Sequence, residues 1–440
     1  MTVSRFLVCA AIAVLALAQP AQAIDIQRIE SPGGIKAWLV EDHTNPIISL
    51  RFAFRGGAGL DPAGKQGLAN LAASTMDEGA GDLDSQAFQK TLEDKSIRIS
   101  FDAGMDNFGG RLQTLVRHRD EAFRLLRLAL TAPRFDADPV ERIRTQILVG
   151  LKRDEEDPHS IAGKALRKAL YGGHPYSRSS DGTQVSVKTI TAADLRGFVG
   201  RRLALNNLVI GAVGDISPER LSALLDQTFG KLPTTAAPWK LADHRANTDG
   251  RTVVIDKNVP QSAIMFADQG LMRADPDFYA AFVMNHILGG GGFTSRLYGE
   301  IREKRGLAYS VSTGLNPRDA SATTVGGAGT ANARVKETLD ILKAEWGRMA
   351  EAGVTAKELG DAKTYLTGAY PLRFSASGRI ARMLVGIQLA HLGIDYVKHR
   401  NGFIEAVTRA DIARIAKKLL DPKRLVTVVV GRPDGVTATP

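Results

Sequence analysis

Cysteine is almost absent from this chain: Cys9 is the only one in 440 residues, and it lies in an N-terminal stretch that reads as a leader. Once that stretch is removed no thiol is left, which excludes disulfides, thiolate metal sites and a cysteine nucleophile. Histidine is scarce as well. None of the eight stands four residues from another, so no helix here presents the paired imidazoles of a His-x-x-x-His metal site. No apolar run approaches the roughly 20 residues needed to span a bilayer. Lysine and arginine outnumber the acids, for a formal charge of +10, yet they form no compact basic block, which argues against nucleic acid as a partner.

Arg5, the apolar run Phe6 to Ala18 and the small-residue stretch Ala21-Gln22-Ala23 have the order of a cleaved export signal. Export with cleavage after Ala23 is expected, and Val8 ahead of Cys9 argues against lipid attachment. The length exceeds what one hydrophobic core serves, so two domains are expected.

Self-comparison supplies both. Val40, Asp42, Pro46 and Phe52 recur 214 residues later as Val254, Asp256, Pro260 and Phe266. Thr191, Ala193, Asp194, Leu203 and Gly214 recur 217 residues later as Thr408, Ala410, Asp411, Leu420 and Gly431. Each Thr-x-x-Asp reads as a helix N-cap, and each following apolar run, Leu208 to Val213 and Leu425 to Val430, as a strand stopped by glycine. Ile48 to Phe54 and Val253 to Asp256 read as strands. Asp120 to Ala132, Pro139 to Lys152, Asp277 to Leu288 and Val335 to Glu351 have helical period. The expected class is α+β: two homologous domains, each a mostly antiparallel sheet with helices packed on one face. The boundaries are a signal peptide over 1–23, an N-terminal domain over 24–232, a polar linker over 233–250 and a C-terminal domain over 251–440.

Several ordered motifs, Gly67-Leu68-Ala69-Asn70, Tyr171-Gly172-Gly173-His174-Pro175-Tyr176, Asn206-Asn207, Ser295-Arg296-Leu297 and Ile301 to Tyr309, resemble the insulinase and pitrilysin group of zinc peptidases, which includes the processing peptidases. Active members carry His-x-x-Glu-His on a helix, where two imidazoles share one face and a glutamate polarises metal-bound water. Asn70, Ala73 and Ser74 occupy those positions here, and none is a competent ligand or base. The family's third ligand, a glutamate on a later helix, falls in Ile147-Leu148-Val149-Gly150-Leu151, which has no acid before Asp154. The resemblance therefore implies no metal and no cofactor in this chain. A zinc site assembled from distant residues is the alternative; Asp77 and Glu78, one turn on, have no histidine within four residues. His174 reads as a turn or packing residue.

The same resemblance places Arg302 and Tyr309 where the family engages substrate. A helix from Thr294 to about Lys304, capped at Gly306, would lead into a strand from Leu307 to Ser312. Both side chains can donate hydrogen bonds to a peptide carbonyl. By residue type alone, Arg302 would only offset the negative helix end and Tyr309 would be a half-buried strand residue. Gly289, Gly290, Gly291 and Gly292 lack the Gly-Lys-Ser/Thr of a phosphate loop. They resemble the glycine segment with which non-catalytic processing subunits contact substrate, or form a plain connector. The implied function is the non-catalytic subunit of a periplasmic heterodimer, with a homologous zinc-bearing peptidase as partner and a peptide or unfolded polypeptide as substrate. A non-enzymatic peptide-binding or structural subunit, or an independent metallopeptidase, would be the alternatives.

Overall fold

Strand-forming runs in each half assemble into a sheet of their own. The computed structural model describes residues 24–439, so the leader reading, with Cys9 and the cleavage site, lies outside the described residues. In the first half Gln27–Glu30 (β1), Lys36–Glu41 (β2), Ile47–Arg55 (β3), Arg98–Ala103 (β4), Asn107–Leu115 (β5) and Leu208–Gly214 (β6) pair in the order β1-β2-β6-β3-β5-β4. In the second half Thr252–Asp256 (β7), Gln261–Gln269 (β8), Ala308–Pro317 (β9), Ala322–Ala331 (β10) and Val426–Gly431 (β11) pair in the order β7-β11-β8-β10-β9. With β1 set aside the two orders coincide strand for strand. Each sheet holds one parallel pair, β2 with β6 and β7 with β11, among antiparallel neighbours. The architecture is α+β, with two mostly antiparallel sheets and packed helices.

The repeat extends to side-chain packing. Phe52 on β3 lies opposite Gly110 on β5, and a Cβ on that glycine would come within 2.4 Å of the phenyl ring. Phe266 on β8 meets Gly326 on β10 in the same way, at 2.2 Å. In both sheets the ring lies across a glycine on the neighbouring strand, filling space a side chain there would need.

Thr191 and Thr408 each close a capping box. The Thr408 hydroxyl accepts from the Asp411 N–H at 3.1 Å, and the Asp411 carboxylate accepts from the Thr408 N–H at 3.0 Å. Thr191 and Asp194 repeat this, at 3.2 and 2.8 Å. Alanine at Thr408 should cost about 1 kcal/mol by leaving first-turn N–H groups without a partner. Thermal melts should show the T408A midpoint lower by about 2 to 4 °C; an unchanged midpoint would mean the cap adds nothing.

β3 is buried at nearly every position, as a strand covered on both faces must be. Its own half covers one face with helices such as Arg119–Thr131. The opposite face receives Ser377–Leu389 from the second half, whose Ile380, Ala381 and Leu384 pack on Val40 and Val213. Reciprocally, Pro158–Tyr171 of the first half lays Ala162, Leu166 and Leu170 on Val426, Val428 and Val430 of β11. Each half therefore completes its partner's sheet. Residues 233–250 contain no helix or strand but are pinned to both halves: Ala237 N–H donates to Arg201 at 2.9 Å and His244 N–H to Ala320 at 2.8 Å. Among the described residues no helix is long and apolar enough to cross a membrane.

Candidate functional site

The helix that carries Asn70 and Ala73, with Ser74 at its end, at the positions expected for the zinc motif, is short, Leu68–Ala73, and its side chains are mostly turned into the core. Asn70 is half-buried, Ala73 is 3% exposed among the core residues, and Ser74 is the C-cap. In the helix Ala137–Asp154, which packs beside it, Ile147 rests on the core and Val149 is exposed. Glu78 is committed to Arg142 at 2.5 Å and Ser85 at 2.6 Å. Burial pushes the Asp77 carboxyl up to about 6. Among the described residues no three His, Cys, Asp or Glu side chains gather at metal-binding spacing. An amide, a methyl and a hydroxymethyl group do not supply a zinc donor set, so the residues here do not fit that ion.

Asp61 holds the start of this helix, its two oxygens accepting from Gly67 N–H at 2.9 Å and Ala69 N–H at 3.2 Å. Burial pushes its carboxyl up to about 7, against the pull of those backbone donors. The folded chain thus keeps a proton that the unfolded chain releases near pH 4. Stability should accordingly fall as pH rises from about 4 through about 7, since the native state binds the extra proton over that window. In Asp61→Asn the decline in melting midpoint between pH 5 and 8 should be shallower than in the parent; an identical slope would remove Asp61 as its source.

In the second half, the expected α-helix over Thr294 to Lys304 is instead a 3-10 turn, Gly292–Thr294, followed by a wide π segment, Tyr298–Glu303. Lys304 N–H reaches back five residues to Gly299 at 3.0 Å, which widens the turn. The left-handed stop at Gly306 forms, with φ +60° and Leu307 N–H donating to Ile301 at 2.9 Å. β9 then begins, and its register against β10 slips between Ala328 and Thr330, so Tyr309 and Ser310 together oppose one residue. The bulge turns Tyr309 outward to 80% exposure, so it is not the half-buried strand residue that its type alone suggests. The Arg302 guanidinium stacks on the Tyr309 ring at 4.4 Å and donates to the Tyr309 carbonyl.

The ladder continues beyond the pair. Arg302 also stands over Tyr298 at 5.3 Å, and Tyr298 packs edge-on against exposed Phe293 at 4.9 Å. Sequence reasoning passed over Phe293 and Tyr298; two aromatics flanking Ser295-Arg296-Leu297 in an aromatic-poor chain were the available signal. The helix before the glycine run does not end at Leu288. The helix Phe278–Asn285 continues as a π turn, His286–Gly290. Gly289 is packed inward, where a Cβ would lie 2.5 Å from the Thr313 hydroxyl; Gly290 is exposed, although a Cβ there would meet the Asn285 amide at 2.5 Å, and only Gly292 opens onto free space.

His174 caps the turn Pro175–Ser177. Its Nδ1 accepts from Tyr176 N–H at 3.2 Å and its Nε2 donates to the Ala242 carbonyl at 2.9 Å, an arrangement that suits the neutral ring. Burial lowers its pKa in agreement.

Residues 189–366 match the protein family described as peptidase M16 inactive domain. The chain is 30% identical over 334 residues to the non-peptidase homolog YmxG of Helicobacter pylori, covering 76% of this chain and 77% of that protein. It is 24% identical over 375 residues to the probable mitochondrial-processing peptidase subunit beta of Schizosaccharomyces pombe, covering 79% and 80%. A crystal structure described as a peptidase M16 inactive domain from Pseudomonas fluorescens superposes with a TM-score of 0.86 at 30% identity, covering 95% of this chain and all of that one. On these likenesses the chain belongs to the peptidase M16 family and carries its inactive domain.

Proposed function

We propose that this chain is the non-catalytic subunit of an exported, heterodimeric zinc peptidase. A homologous partner supplies the metal, its ligands and the base; zinc there would polarise the scissile carbonyl and activate water. This chain supplies Arg302 and Tyr309, and its exposed glycines Gly290 and Gly292 allow a peptide backbone to come close. The leader reading supports a periplasmic location. The observation that carries the proposal is a pairing of loss and retention. Ala73, at an expected zinc-motif position, belongs to the core, while Arg302 on the π segment and Tyr309 on the edge strand β9 stack at the surface. A core position has no use for an exposed arginine-tyrosine pair, whereas a surface facing a second chain does.

Purified alone, the protein should contain no stoichiometric zinc and cleave no peptide. Mixed with an exported homologue that carries His-x-x-Glu-His, it should yield a complex that cleaves unfolded polypeptide faster than the homologue alone. A full zinc complement in the isolated chain, or a homologue unaffected by its addition, would reject the proposal. The name of the Helicobacter pylori relative supports a second reading, a peptide-binding subunit with no peptidase partner. Peptide binding without any gain in cleavage would favour that reading.

A further inference from the structure

Beside the glycine segment, two adjoining hollows of about 470 and 510 Å³ share Arg273, Arg373, Met383 and Tyr396 in their walls and form one cleft. Five arginines line it: Arg273, Arg373, Arg379, Arg382 and Arg400. Among the described residues none of the five is ion-paired, although aspartate and glutamate pair with arginines over much of the remaining surface. Their hydrogen bonds go to neutral oxygens instead. Arg273 donates to the Tyr279 and Tyr396 hydroxyls at 3.1 and 3.3 Å, Arg379 to the Leu372 carbonyl at 3.3 Å, and Arg400 to the Leu366 carbonyl at 2.6 Å. Arg400 is 5% exposed and lies over the Tyr370 ring at 4.4 Å. Arg273 is half-buried and Arg373, Arg379 and Arg382 are exposed at the mouth, and like charges gathered without acids repel one another and favour an anion.

Asn285 and Thr313, each 7% exposed, add polar residues to the wall of the cleft. The cleft is also continuous with the edge strand β9. Thr313, Gly314 and Leu315 form part of its wall, about 13 Å along the strand from Tyr309 at the usual rise per residue. Phe278, Phe282 and Met383 supply apolar surface beside the charges.

We infer that this cleft binds an acidic segment of an extended polypeptide, its carboxylates on the arginines and its apolar side chains against Phe278, Phe282 and Met383. As a statement about substrate it rests on the subunit reading above; as a statement about binding it needs no partner. Carboxylates pair with guanidiniums in bidentate geometry, and a chain running along β9 past Tyr309 delivers its following residues to the cleft.

The test uses the full chain alone and a short fluorescent peptide of alternating glutamate and leucine, compared by anisotropy with its glutamine counterpart. The glutamate peptide should bind about 10-fold or more tightly, with a preference that weakens as salt rises. Arg373 and Arg379 are exposed, so R373Q/R379Q should keep the fold by circular dichroism and lose the preference. Lys90→Gln with Lys336→Gln, which removes the same charge elsewhere, should retain it. Equal affinities for the two peptides, or a preference that survives R373Q/R379Q, would overturn the inference. So would phosphatidylglycerol vesicles binding through Arg373 and Arg379 with no peptide preference, since the cleft would then be a membrane contact. A preference seen in a chain that activates no zinc-bearing homologue would uphold the cleft and reject the subunit reading.

Discussion

Arg302→Ala should lower kcat/KM of the proposed heterodimeric peptidase by about 100-fold, the usual loss when one donor to a developing oxyanion is removed. Tyr309→Phe, which deletes only a hydroxyl from an 80% exposed ring, should lower it by about 10-fold or more without altering the fold. Arg302 also braces the Tyr309 carbonyl and ring, so its removal acts on both groups, and the double variant should be little worse than R302A. Steady-state cleavage by the mixed subunits checks this, with complex formation followed separately by gel filtration. Arg302→Lys distinguishes charge from geometry, because an ammonium keeps the cation but loses the planar fork. Rates untouched by R302A and Y309F would end the assignment of the pair to substrate.

Restoring the zinc motif should fail, and should damage the chain. Ala73→Glu places a carboxylate in a 3% exposed position of the hydrophobic core. Burying an unpaired charge there should cost about 3 kcal/mol or more. Asn70→His, on the half-buried face, should be tolerated by comparison. The triple change N70H/A73E/S74H should therefore melt far below the parent and take up no stoichiometric zinc, since Ile147 to Leu151 still offers no third ligand. Differential scanning calorimetry and metal analysis measure both halves of this expectation. A stable, zinc-loaded triple variant would show that the helix is still a metal scaffold and not rebuilt core.

The two helices expected from Asp120 to Ala132 and Val335 to Glu351 form at Arg119–Thr131 and Val335–Ala352, because their apolar periodicity is carried within the segment. Capping at Thr191 and Thr408 was legible for the same reason: donor and acceptor lie three residues apart. The widened turns at His286–Gly290 and Tyr298–Glu303 were not legible. In the first of them Gly289 packs against Thr313 and Leu297, distant contacts that the local pattern does not encode.

The amino-acid order by itself determined the duplication, the capped helices and the amide, methyl and hydroxymethyl side chains at Asn70, Ala73 and Ser74, all of them written in short windows or fixed spacings. Tertiary structure alone decided that Ser377–Leu389 and Pro158–Tyr171 each cover the other half's sheet, that a bulge swings Tyr309 outward, and that arginines from 273 to 400 meet in one cleft. Those outcomes depend on which apolar faces stay uncovered once each half has formed. That is a property of assembled surfaces and of no segment taken singly.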